Sequence, residues 1–181
     1  MHDYLSLGGR VFLEHWQNVW LEQGPAPLPT VATFNFQPDL PNYAGDIDVS
    51  FPKGQAFAEW LVQTGASSAL GKLAFADARH TVDAVNTSIA QRWIYGSTPP
   101  SVQLLSANTP LGASPAQHCG RVVFSDVHLA SGDQAGPPFP TGCVTQGFGP
   151  VEKALAFALF DSMACISPDS APPVPPAIDP P

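Results

Sequence analysis

Gly120-Arg121-Val122-Val123-Phe124-Ser125 decides how this chain is read. Three large apolar residues stand in a row, with no polar residue between them. A strand with one wet face alternates, so this run predicts a strand covered on both faces, as in a parallel or mixed sheet. Polar residues return at Ser125-Asp126-Val127-His128, where the strand should end. Downstream, Pro150 suits the first turn of a helix. Val151, Leu155, Ala158, Leu159 and Ser162 then fall on one face, and Ala154, Phe157 and Phe160 widen it. Only Glu152, Lys153 and Asp161 are charged there, so this helix is expected to lie largely buried across the sheet.

Upstream, Asp3 to Leu7 reads as the end of a helix that Gly8-Gly9 breaks, and Arg10-Val11-Phe12-Leu13 as a short buried strand. Val31 to Phe36 reads as extended, and Pro38 to Asp48 as turn-like. Gln55 to Thr64 places Phe57, Trp60, Leu61 and Thr64 on one helical face, with Gly65 as its C-cap. Extended pieces follow at Gly71 to Asp77, Arg92 to Tyr95 and Val102 to Ser106. Strand, helix, strand, then strand and buried helix is an α/β order. The expected fold is a three-layer α/β domain with a mostly parallel sheet. The short strands and Gly/Pro-rich turns also suit an all-β sandwich with one helix.

Residues 1–166 form the expected domain. Seven prolines among residues 167–181 predict a disordered, extended tail there. Seven Lys and Arg against fifteen Asp and Glu, among 181 residues, give a formal net charge of −8. Nucleic acid and anionic membrane surfaces are therefore excluded as expected partners. The longest unbroken apolar run, Ala154 to Phe160, is far short of a membrane span. No signal peptide is visible, yet a charged fraction of only 12% points to an extracellular or periplasmic setting. The spacing of Cys119, Cys143 and Cys165 excludes a compact zinc knuckle. A Cys143–Cys165 disulfide is the preferred pairing and would contribute roughly 3 kcal/mol; three reduced thiols are the alternative.

Three segments carry a family resemblance: Gly8-Gly9-Arg10-Val11-Phe12-Leu13-Glu14-His15, Phe51-Pro52-Lys53-Gly54-Gln55-Ala56-Phe57, and Cys119 to His128. Together they resemble the later half of class I glutamine amidotransferase-like domains, of flavodoxin-like fold, as in uncharacterised secreted bacterial proteins. The resemblance spans Leu5 to Ile166 and implies a truncated flavodoxin-like domain. It matches His128 to the catalytic histidine that follows the family's late strand. The glutamate usual two residues later is Ala130 here, and Cys119 precedes its strand, so the nucleophile has no match. The resemblance thus implies a chain without glutaminase activity, and a homodimer through an uncovered sheet edge.

From the residues themselves, Asp126 and His128 share a face if the strand continues, with His128 as general base and Asp126 as its orienter. Ser125 points the other way, a defect in a Ser-His-Asp reading. The plainer role for Asp126 is to accept backbone amides at a strand end. Glu14 and His15 beside His128 would suit a borderline metal, although no local ligand framework exists. Asp39, Asp46 and Asp48 read as a solvated acidic turn sooner than a calcium loop. Trp16, Trp20 and Trp93 are candidate stacking residues for a ligand, with Trp93 and Ile94 expected on opposite faces. No nucleotide-binding glycine loop is present, and no cofactor is expected. The leading expectation is an extracellular interaction or carbohydrate-associated module, with a carbohydrate or protein ligand. The alternative is a small ester or amide hydrolase using Ser125, Asp126 and His128.

Overall fold

The computed structural model describes residues 1–127 and 147–173. Six strands form one sheet: β1 (Arg10–Glu14), β2 (Ala32–Ile47), β3 (Lys72–Val85), β4 (Gln91–Ser97), β5 (Pro100–Thr109) and β6 (Gly120–Ser125). Their spatial order is β1-β6-β5-β4-β2-β3. Only β1 and β6 run parallel; every other pairing is antiparallel. The expected mostly parallel, three-layer flavodoxin-like sheet is therefore incorrect. The fold is α/β with a mostly antiparallel sheet curled into a half-barrel. An uninterrupted apolar run reports burial on both faces, and an antiparallel strand covered on both sides produces the same run.

β6 is that strand, buried along its whole length between β1 and β5. Val123 faces one core, with Phe57, Leu61, Phe75, Trp93, Leu104, Ala154 and Ala158. Val122 and Phe124 face the other, with Leu5, Leu13, Leu21, Leu28, Val31, Val82 and Leu105. Each of these large side chains contributes about 2 kcal/mol by leaving water. The first core is roofed by α3 (Pro52–Gln63) and α4 (Pro150–Met163), the second by α1 (His2–Ser6) and α2 (Val19–Glu22).

The helices follow their sequence signals. Pro52 and Pro150 occupy first-turn positions. Gly65, at φ +69°, ends α3: its N–H reaches Val62 O, and Ala66 N–H reaches Leu61 O. That paired closure satisfies two terminal carbonyls and needs a left-handed residue at Gly65. α4 buries Ala154, Leu155, Ala158 and Ser162, whereas Leu159, Phe160 and Met163 are exposed. Its packed stripe is thus narrower than expected. Arg10 on β1 donates to the carbonyls of Ser162 and Ala164 and fastens the C-terminal end of α4.

Two departures come from bulges. The 16-residue β2 runs through Pro38 and Pro41, where turns were expected. Its pairing with β3 shifts register three times between Thr33 and Leu40. Beyond Asp46 and Ile47 it makes no ladder with β4, so its other edge has no N–H to supply. In β4 the register shifts around Trp93 and Ile94, and both side chains enter the same core. The expectation that they point oppositely is incorrect for that reason.

The curl brings β3, one terminal strand, back to the end of β6. Ala78 bridges Val127, and Arg79 N–H donates to Asp126 O at 2.8 Å. The Gln103 amide adds a bond to Arg79 O at 3.0 Å.

Candidate functional site

Asp126 sits where the edge strand β3 curls back onto the end of β6. Its carboxylate accepts the Thr81 backbone N–H at 2.8 Å and the Thr81 hydroxyl at 2.7 Å. It is fully buried, and its own N–H donates to Gln103 O. Burial pushes its carboxyl up to about 6, against the pull of the Thr81 bonds and of the His80 and Arg79 charges. Ser125 is also fully buried, and its hydroxyl oxygen accepts Val127 N–H. This is a strand end fastened by an acid that accepts a backbone amide. His128 lies outside the described residues, as does Cys143.

The disulfide expectation is overturned. Cys165 is a free, exposed thiol, as is Cys119. Spacing sets the loop a bond would close; whether two sulfurs meet depends on Cα placement, which spacing does not fix.

Asp39 and Asp46 of β2, and Asp48 just beyond it, do not form a solvated turn. Asp39 pairs with Arg79 at 3.0 Å, Asp46 with Lys72, and the buried Asp48 with Arg92 at 2.9 Å. Among the described residues, no group of three or more His, Cys, Asp or Glu is placed to hold a metal ion.

The stacking candidates separate. Trp93 is buried against Phe51 and Phe57, so it is core and cannot meet a ligand ring. Trp16 and Trp20 are 61% and 57% exposed. Trp16 lies on a 3-10 turn (His15–Asn18) directly after β1, and Trp20 on α2. Trp16 stacks on the exposed Phe36 at 5.1 Å, with the Arg79 guanidinium 5.3 Å from its ring centroid. Trp20 walls a groove of about 450 Å3, together with His2, Asp3, Val19, Gln23 and Pro25. The His2 ring, bonded to Asp3 at 2.9 Å, holds the Asp3 carboxyl below the usual carboxylate range.

A second polar constellation has no counterpart in the sequence reading. Arg121, 2% exposed on β6, meets Asp161 of α4 at 2.7 Å and Asp169 at 3.1 Å. Lys53 on α3 meets the same two carboxylates at 2.9 and 3.2 Å. Asn108 Oδ1 accepts from Arg121 at 2.6 Å, and Ser106 Oγ at 2.9 Å. Ser106 Oγ also accepts the indole N–H of Trp93. The one sequence signal was charge out of place: Arg121 interrupts a buried strand, and Asp161 an apolar helix. Asp169 falls in the stretch expected to be a disordered tail, yet its side chain is only 10% exposed.

No family model, no curated protein and no solved structure matches this chain, so the amidotransferase-like resemblance, and with it the flavodoxin-like, secreted, bacterial and hydrolase assignments, is without support.

Proposed function

We propose that this chain is a non-catalytic binding module that takes carbohydrate on its exposed aromatic surface. The observation that carries the reading is the groove beside Trp20, with the Asp3 carboxylate and the Gln23 amide on its walls. A sugar ring offers an apolar C–H face to an aromatic ring and hydroxyls to carboxylates and amides. Asp3 is an ionised acceptor near neutral pH, as an exposed aspartate ordinarily is, and the His2 bond favours that form further. Leaving more than half of Trp16 and Trp20 in water forgoes about 1 kcal/mol of burial apiece. Trp16, stacked on the exposed Phe36, is a further exposed aromatic surface, and such apolar patches mark contact surfaces. The groove lies within the usual size range of small-ligand sites.

An oligosaccharide panel titrated into the full chain, read by tryptophan fluorescence, tests the reading. At least one sugar class is expected to shift the emission saturably. Trp20→Ala should weaken that binding about tenfold, equivalent to ~1.4 kcal/mol, with an unchanged circular dichroism spectrum. A folded protein that responds to no sugar at millimolar concentration, or a Trp20→Ala variant that binds as well as wild type, would refute it.

A further inference from the structure

The buried cluster around Arg121 contains two cations, Arg121 and Lys53, and two carboxylates, Asp161 and Asp169. Their formal charges cancel. The two carboxylates are held very differently. Asp161 belongs to α4 and makes short contacts, 2.7 Å to Arg121 and 2.9 Å to Lys53. Such distances are those of charge-assisted hydrogen bonds. Asp169 belongs to an irregular stretch after α4. Its Oδ2 lies 3.3 Å from Arg121 Nη1 and 3.4 Å from Ser106 Oγ. Its Oδ1 stands 3.1 and 3.2 Å from the two cations, with no hydrogen bond directed at it. The neighbouring tether, Asn108 Nδ2 to Ser167 O, is 3.3 Å. The hydrogen bonds that hold this stretch to the cluster, at 3.3 to 3.4 Å, are therefore longer than ordinary ones, and its ion contacts, at 3.1 and 3.2 Å, are longer than those of Asp161.

The surroundings are roomy. A cavity of about 10 Å3, enough for one water, adjoins Arg121, Trp93 and Asp161. Arg121 Nε is buried and has no partner. On the solvent side, a groove of about 330 Å3 reaches the cluster past Ser106, Asn108 and His118, with Pro168, Asp169 and Ser170 forming part of its wall. If Asp169 swings out, Arg121 and Lys53 face Asp161 alone. One positive charge is then left buried and uncompensated, which is strongly unfavourable unless an anion replaces the lost carboxylate.

The geometry points to a carboxylate-binding site made by Arg121, Lys53 and Ser106, which Asp169 of the same chain fills in cis. Residues 167–170 are the strap over it, and withdrawal of the strap opens the site to an external carboxylate. The planar guanidinium of Arg121 suits a carboxylate better than a spherical anion. The sugar groove beside Trp20 plays no part in this site, so the two readings stand or fall separately.

Acetate is the probe, compared with chloride at matched ionic strength, on the full chain and its Asp169→Ala variant. The indole N–H of Trp93 reports locally, because it donates to Ser106 at 2.8 Å. In the variant, acetate should shift that resonance saturably and raise Tm, and chloride should not. Wild type should need about tenfold more acetate or beyond, since it must displace a tethered competitor. Asp169→Asn, which keeps the shape and removes only the charge, should behave as Asp169→Ala does. The proposal is overturned if wild type and variants share one midpoint, if chloride equals acetate, or if a folded variant shows no acetate-dependent shift. It is equally overturned if both variants stay unfolded in acetate, for Asp169 is then a structural ion-pair partner.

Discussion

Asp126, at the end of β6, grips Thr81 on β3 twice, through the backbone N–H at 2.8 Å and the hydroxyl at 2.7 Å. The pair joins β3, at one edge of the sheet, to β6, which lies next to the opposite edge. Burial of the carboxylate outweighs these two bonds, which favour the charged form, and its carboxyl is pushed up to about 6.

That shift makes Asp126 a source of pH dependence with a definite sign. The folded chain binds this proton more tightly than the unfolded chain does. Between about pH 4 and 6 the folded state therefore carries more protons, and this residue's contribution to stability falls as pH rises. The full loss is roughly 3 kcal/mol and is complete above the folded value. Asp126→Asn retains an acceptor for the Thr81 N–H and a donor for its hydroxyl, and it does not titrate. Urea midpoints from pH 4 to 7 should show the variant gaining on wild type across that window. Parallel profiles would exclude Asp126 as the cause.

Gly120 opens β6 at a point where backbones converge. A Cβ there would stand 2.0 Å from Leu5 O and 2.7 Å from Gly9 O. Neither atom belongs to a side chain that can rotate away. Gly120→Ala should cost at least ~2 kcal/mol, seen as a lowered urea midpoint at unchanged m-value. A loss below half a kilocalorie would mean that α1 shifts freely against the sheet.

The thiols offer a direct check on the cysteine chemistry. Cys119 and Cys165 are both exposed and unbonded. In the native protein, without denaturant or reductant, each should react promptly with a chromogenic disulfide reagent. Cys119→Ser and Cys165→Ser should each remove one fast equivalent. A Cys165→Ser variant that removes none would contradict the free thiol.

The sequence made some elements legible because their signals were local. Val122-Val123-Phe124 shows burial on both faces without reference to any neighbour, and Gly65 marks the end of α3 by its own backbone freedom. Strand direction was not legible, since nothing in an apolar run records which way its neighbours point. Trp93 and Ile94 misled because a register shift breaks the two-residue period that the reading assumes. Pro38 and Pro41 read as turn because a β2 edge with no ladder to serve is a tertiary circumstance. For the candidate sites, Asp126 was visible by position, and its amide-accepting role was among the readings weighed. The Arg121 cluster was not visible, because Lys53, Arg121 and the Asp161–Asp169 pair come from three stretches far apart in the sequence. Trp16 and Trp20 were visible as aromatics; that they would be left in water was not.

The pairing of β1 with β6 sets Arg10 beside Arg121. Among the described residues, β1 pairs with β6 alone, more than 100 residues away in sequence. The chain is expected to reach its native state late and all at once, with long-range pairing as the slow step. Fluorescence and circular dichroism should then report a single coincident unfolding transition, and two separated ones would show that the halves fold apart.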